Sequence, residues 1–467
     1  MSNKIKKIIT KWKRQVILRF KTTKKATQDD IIINGFTLIE VLIGVLILAV
    51  AILTIYSLFN MSLKVIWESK AKITATQLAN QKIEIAHNLN YADVGTVNGI
   101  PAGNIPQTEN IIRNGINFVV QTQVFYIDDE FDGTLGGNPD DTLNTDYKRI
   151  KVTVSWPYRY GHKPIILMTN IVPPGLESSV GGGTLKILVY NAFGEPVPQA
   201  NVSIINDLTD PVININTQTD DQGYVILPGS PESTEGYEIT VTKEGYSTDQ
   251  TYNTTPELPS PEKSHASVFE NQTTNISFAI DKLSNLEIAI QNENNISLSD
   301  VEINIKGGKT IGLDEDELPV YKFNHNYFSN HLGKINLNNI EWDSYSFILP
   351  EDSVYNISET IPIQPLSLLP NTVADITITL VPKATHSALI IIKDITEHPI
   401  ASSTIHFYTS NPIYDGTFIT GQSGQAYFTP WIEATSTIEI TANGYENYSD
   451  TFDLSGYHVE EVIMVQP

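Results

Sequence analysis

The 467-residue sequence contains no cysteine. That excludes disulfides, zinc–thiolate centres and thiol nucleophiles. Proline is absent between Phe36 and Tyr91, where Gly44 is the single glycine, so nothing in that stretch interrupts a helix. Basic residues are scarce beyond the start. Ten of the 30 Lys and Arg, but two of the 53 Asp and Glu, fall in residues 1–35, leaving 20 basic and 51 acidic side chains for the rest. So acidic a surface repels phosphate, and nucleic acid is not an expected partner. The patterns H-E-x-x-H, G-x-S-x-G, G-x-x-x-x-G-K-[ST] and G-x-G-x-x-G are all missing, and the nine His are scattered. No catalytic residue and no cofactor is expected, so the chain does not read as an enzyme.

What is present begins with a basic head and an apolar run. Val41 to Leu63 is free of formal charge. At about 1.5 Å per residue it spans about 34 Å, enough for a hydrocarbon core of about 30 Å. The basic head places the N-terminus in the cytoplasm and the remainder outside. Glu40 stands at the edge of this run, where a carboxylate costs up to a few kcal/mol. A positive charge beside it offsets the cost. Cleavage between Gly35 and Phe36 would create one, the α-amino group of Phe36, four residues from Glu40.

The stretch "GFTLIEVLIGVLILAVAILTIY" resembles the prepilin signature of type IV pilins and type II secretion pseudopilins. Gly35 matches the last leader residue, Phe36 the first mature residue and Glu40 mature position five. The resemblance implies that a prepilin peptidase cuts after Gly35 and that the new amine of Phe36 is methylated. It implies that Glu40 sets register during assembly with other pilin or pseudopilin subunits. It also implies one membrane-crossing helix, with the subunit held in the cytoplasmic (inner) membrane before assembly and at the pilus or cell surface after it.

Beyond Leu63 the apolar residues fall at helical spacing among Lys, Gln, Asn and Glu, so one helix of about 55 residues is expected. A small antiparallel sheet follows. "ENIIRNGINFVVQTQVFYID" carries Asn114-Gly115 between apolar alternations, a hairpin signal. "KRIKVTVSW" alternates Ile150, Val152, Val154 and Trp156 inward, and "KPIILMTNIV" is a further strand. Between them lies an acidic stretch in which Asp128, Glu130, Asp132 and Gly133 imitate half of a calcium loop. The twelfth position is Pro139 rather than the bidentate Glu. Calcium at Asp128, Glu130 and Asp132 is therefore one reading, and a solvated acidic turn is the other.

"PPGLESSVGGG", residues 173–183, reads as a linker. After it three lines recur: "LKILVYNAFGEPVPQANVSI", "LEIAIQNENNISLSDVEINI" and "LIIIKDITEHPIASSTIHFY". Each copy then places a glycine, Gly223, Gly333 or Gly424, just before a strand, and each closes on a strand. This resembles the carboxypeptidase regulatory-like domain, a transthyretin-like sandwich whose signature positions are structural. The middle copy is degenerate, with an insertion around Asp314 to Asn326. His325 and His331 within "KFNHNYFSNH" read as part of a surface loop.

The fold class expected is an α+β pilin-like domain, a long N-terminal helix plus antiparallel sheet, followed by all-β tandem sandwiches. The boundaries are a leader at 1–35, a membrane or fibre-core half-helix at 36–59 and a pilin-like domain at 60–172. After the linker come sandwiches at 184–281, 282–383 and 384–467. The function this implies is a minor pilin displaying three sandwiches for adhesion or contact with an unnamed surface ligand. The alternative is a pseudopilin of a secretion or DNA-uptake system.

Overall fold

A computed structural model describes residues 37–467 other than 130, 132, 136, 140–144, 158–163, 175–180, 411–412, 431–434 and 454–455. Helix α1 (Leu38–His87) is continuous over 50 residues. It ends where Asn88 turns back on Glu84: both its backbone N–H and its Nδ2 donate to the Glu84 carbonyl, at 3.2 and 2.7 Å. A single 3-10 turn, Tyr91–Asp93, follows.

From Ile73 onward the helix has an inner stripe. Ala75, Leu78, Ala79 and Ala86 are buried at steps of three, one and seven residues, which keeps them on one side. The alanines let the helix lie close against a sheet of β1 (Thr108–Arg113), β2 (Ile116–Ile127), β3 (Tyr147–Ser155) and β4 (Ile165–Ile171). These strands pair antiparallel in chain order. The β1–β2 turn has φ +51° at Asn114 and +74° at Gly115, the two left-handed residues of a type I′ turn. Phe118, Val120, Val124, Ile150, Val152 and Val154 form the buried face. Each such side chain stabilises the fold by about 1.5–3 kcal/mol. The helix is also tied polarly, by Lys82 to Glu109 at 2.5 Å and by His87 to Thr169 at 3.0 Å.

The first sandwich contains β5 (Gly183–Tyr190), β6 (Asn201–Asn206), β7 (Ile213–Gln218), β8 (Tyr224–Ser230), β9 (Ser233–Thr242), β10 (Asp249–Gln250), β11 (Ser260–Pro261), β12 (Ala266–Val268) and β13 (Thr273–Ala279). Its sheets run β10-β9-β6-β7, with β12 also on β9, and β13-β5-β8. The second contains β14 (Ser284–Asn292), β15 (Glu302–Gly307), β16 (Thr310–Leu313), β17 (Pro319–Tyr321), β18 (Asn324–Phe328), β19 (Lys334–Ile340), β20 (Asp343–Ile348), β21 (Tyr355–Ile361), β22 (Leu366–Leu368) and β23 (Val373–Pro382). Its sheets run β19-β14-β23-β21 and β18-β15-β20-β22. The third contains β24 (His386–Asp394), β25 (Thr404–Ser410), β26 (Ile413–Ile419), β27 (Gln425–Phe428), β28 (Thr435–Thr441), β29 (Tyr448–Asp453) and β30 (Gly456–Met464). Its sheets run β27-β24-β30 and β26-β25-β28-β29. Each has its own aliphatic core.

The recurrence seen in the sequence is a recurrence of hydrogen bonds. After the first strand, Asn191, Asn292 and Asp394 each use Oδ1 to accept backbone N–H groups two and four residues on. Such Asx turns explain why only Asn or Asp stands there. A buried hydroxyl, on Thr219, Ser329 or Thr420, then donates to the carbonyl of Val197, Leu298 or Ile400. The same hydroxyl accepts from the N–H of Ala200, Val301 or Ser403. Gly223, Gly333 and Gly424 have φ of +78°, +68° and +69°, and a Cβ on them would stand 2.5–2.6 Å from the carbonyl oxygen of Val189, Ile290 or Ile392. Position and conformation both demand glycine.

The insertion of the middle copy is not a loose loop. Residues 310–321 fold as the hairpin β16–β17, and β16 pairs with β11 of the first sandwich. His325 lies on strand β18, opposite Ile305 on β15, rather than in a loop, because Tyr327 and Phe323 beside it contribute to the core of the second sandwich.

Alanine at Gly424 and at Gly444 separates steric from conformational demand. Gly444 also has positive φ, +86°, but a Cβ there meets nothing within 4 Å. Both changes lose the left-handed allowance, about 1–2 kcal/mol. Gly424→Ala is expected to lower the urea midpoint of the third sandwich clearly more than Gly444→Ala. Equal losses would show that the close approach to Ile392 carries no energy.

Candidate functional site

The N-terminus of α1 holds the residues of the motif. Thr37 is the N-cap and Glu40 the third helical residue. The Thr37 N–H and Oγ1 both donate to Glu40 Oε2, at 3.1 and 3.0 Å, while the Glu40 N–H faces Thr37 Oγ1 at 3.4 Å. This reciprocal arrangement is a capping box, which satisfies helix N–H groups that have no intrahelical acceptor. The carboxylate also lies at the positive end of the helix dipole. Part of the cost of Glu40 is thus offset within its own chain. The sequence signal for this cap, Thr-x-x-Glu before an apolar run, is present at 37–40. Gly35 and Phe36 lie outside the described residues.

Beyond the cap, α1 is long and apolar enough to cross a membrane. Leu42, Leu46, Leu53 and Ile55 are each about two-thirds exposed, at 61, 65, 67 and 66%. Three polar side chains in this part turn back on the helix. Thr54 Oγ1 donates to the Val50 carbonyl at 2.7 Å, Asn60 Nδ2 to Tyr56 at 2.9 Å and Ser62 Oγ to Leu58 at 2.9 Å. Their polar atoms are satisfied four residues back, as an apolar surrounding requires. The helix therefore offers a mostly apolar surface on which these three side chains make little polar demand.

The acidic turn after β2 uses its carboxylates locally. Asp128 Oδ2 accepts from the Leu135 N–H at 3.0 Å, and Asp129 Oδ1 from the Phe131 N–H at 3.2 Å. The Asp129 N–H in turn donates to Asp146. Glu130 and Asp132, the other two calcium candidates, lie outside the described residues. Among the described residues no three His, Asp or Glu side chains are grouped as metal ligands.

Lys148 is a buried cation on the inward face of β3. It shares that face with Ile150, Val152 and Val154 and is 1% exposed. Its Nζ donates to the carbonyls of Tyr91 and Val94, at 2.7 and 2.6 Å, and lies over the Tyr91 ring at 4.6 Å. It pins the chain leaving α1 to the sheet. Burial pulls its pKa from 10.5 to about 8, opposed by Asp93, and pushes the Tyr91 hydroxyl up to about 12.

The junctions between domains create clefts. One of about 810 Å³, between the second and third sandwiches, is lined by Phe347, Ile348, Tyr355, Tyr457 and Val459 among others. Another of about 370 Å³, between the first and second, is polar, with Lys263 paired to Asp249 and with Lys309 and Lys322 both on Glu341.

Residues 33–56 match the prokaryotic N-terminal methylation motif. The chain thus carries a prepilin-type N-terminus, with the apolar helix that such a segment needs. No curated protein matches the chain. Among solved structures it is similar to the Bacillus anthracis TIE protein, at 16% identity over 69% of this chain and 61% of that one, with a TM-score of 0.18. A streptococcal ancillary pilin matches at 10% identity over 61% of this chain and 99% of that one, TM-score 0.17. The shaft pilin SpaA of Lactobacillus rhamnosus GG matches at 12% identity over 44% and 98%, TM-score 0.18. Scores this low establish no common fold.

The lysine yields a pH test. The unfolded chain keeps the Lys148 proton up to its ordinary pKa of 10.5, whereas the folded chain loses it near 8. Between these values the unfolded state binds more protons, so folding stability rises with pH. Urea midpoints of the pilin-like domain should climb from about pH 8 to about pH 10, and Lys148→Met should abolish the climb. A climb that persists in the variant would assign it to other groups.

Proposed function

We propose that the chain is a minor pilin of a type IV pilus or related filament, processed by prepilin peptidase and displaying its three sandwiches for contact with an external surface. The observation that carries this reading is the methylation motif at 33–56, whose helix has a mostly apolar exposed surface from Val41 to Leu63. Such a surface must be covered, by lipid before assembly and by neighbouring helices afterwards. The added β mass supports a minor rather than a shaft role. Some 284 residues, Thr184 to Pro467, are awkward to accommodate on every subunit of a shaft but tolerable on a few. No catalytic role is assigned to any residue. The second reading, a pseudopilin of a secretion or uptake machine, shares the motif and is disfavoured by the three sandwiches, which a piston hardly needs.

In this reading Glu40 has two successive roles. In the intact chain it caps Thr37. After cleavage it pairs with the Phe36 amine of an adjacent subunit. Mass spectrometry of protein from sheared filaments should find a first peptide that begins at Phe36 and carries one N-methyl group. An uncut N-terminus in filaments would contradict the reading. Glu40→Gln keeps a side chain able to complete the capping box but removes the charge. It should leave cleavage intact and reduce incorporation into filaments as strongly as Glu40→Ala. Normal incorporation of Glu40→Gln would reduce Glu40 to a cap.

A further inference from the structure

The three sandwiches share a topological feature that display alone does not require. In each, the first strand pairs in parallel with the last. β5 lies beside β13 over seven register pairs, β14 beside β23 over eight and β24 beside β30 over nine. The chain thus enters each sandwich at one end of this pair and leaves at the other. The connections are short: residues 280–283 join β13 to β14, and residues 383–385 join β23 to β24. Tension along the chain therefore passes from one terminal pair directly into the next.

From this geometry we infer that the sandwiches are a tension-bearing series, each loaded in shear. This rests on the surface-display reading and adds to it a mechanical role. Parallel strands are joined by evenly spaced, slanted hydrogen bonds. A pull that draws the two strands in opposite directions along their length loads all of these bonds together. A pull at one end of the pair would break them one after another. Rupture under force follows the unfolding barrier rather than the equilibrium stability, so the direction of loading matters even at fixed stability.

The junctions support the same role. At the first, β11 pairs with β16, with Ser260 opposite Leu313 and Pro261 opposite Gly312, and Lys322 Nζ donates to the Thr248 carbonyl at 2.7 Å. A Cβ on Gly312 would stand 2.4 Å from the Ser260 carbonyl oxygen, so the contact is close backbone packing. At the second, the Gln425 amide grips edge strand β21. Its Nε2 donates to the Thr360 carbonyl at 2.7 Å and its Oε1 accepts from the Thr360 N–H at 3.1 Å. Tyr457 adds a bond to the Ile357 carbonyl at 2.9 Å. Neighbouring sandwiches are thus bonded to one another through backbone groups, not merely tethered.

The absence of cysteine makes the test clean, because handles attach only where cysteines are introduced. In the full chain held in detergent, Thr385→Cys with Val465→Cys places handles at opposite ends of the β24–β30 pair. Ile395→Cys with Val465→Cys places them at the same end. All three positions are exposed. Single-molecule pulling at one loading rate should rupture the first pair at several-fold higher force than the second. Comparable forces would overturn the inference. Should either variant have a lowered urea midpoint, the second sandwich provides an independent comparison: Lys282→Cys with Lys383→Cys against Glu293→Cys with Lys383→Cys. Comparable forces alongside labelled filaments on cells would remove the mechanical role and leave the display reading intact.

Discussion

Closure of open strand edges by a neighbouring domain is the constraint on which the β region depends. A sheet edge presents unpaired N–H and C=O groups that will bind another chain if left bare. Here each junction uses such groups. Around β7, the Asn214 N–H donates to the Asn98 carbonyl at 2.8 Å, and the amides of Gln107 and Gln123 donate to the carbonyls of Asn214 and Asn216 at 2.7 and 2.9 Å. Ile100, from the loop after α1, is buried in the core of the first sandwich, with Phe125 and Tyr126 packed beside it. β11 and β16 close the next junction, and Gln425 closes the edge of β21. Leu389 and Ile391 of the third sandwich contribute to the core of the second. That explains why β24 is buried on both faces along nearly its whole length.

Much of this was legible in the sequence because local rules and the fold agree. Asn114-Gly115 marks a turn since both residues accept positive φ. The alternation from Ile150 to Trp156 marks a half-buried strand. The three aligned lines mark three sandwiches, because Asx-turn residues, the buried hydroxyl and the turn glycine are each required by a hydrogen bond or a close approach. The glycines at 182 and 183 read as a flexible tract, yet a Cβ on either would stand 2.2–2.3 Å from a carbonyl oxygen, of Ser230 or of Phe269.

What was illegible depends on partners distant in sequence. The hairpin at 310–321 looks like degeneracy because its backbone groups answer to a neighbour, and that neighbour, Ser260-Pro261, is a two-residue strand with no pattern of its own. Lys148 stands at an inward position of the β3 alternation although its charge favours solvent, and only the carbonyls of Tyr91 and Val94 make its burial tolerable. The Glu40 cap was legible from Thr37 three residues before it. The cap makes Glu40 tolerable in the intact chain, and in the proposed function cleavage would supply a second, charged partner.

In the proposed function an apolar helix inserts into a filament while the β region is displayed outside it. Immunogold electron microscopy of intact cells, with an antibody raised against residues 184–467, tests it directly. Gold is expected on filaments, concentrated at their ends. Gold confined to the cell envelope, with abundant filaments left unlabelled, would contradict it and favour a pseudopilin.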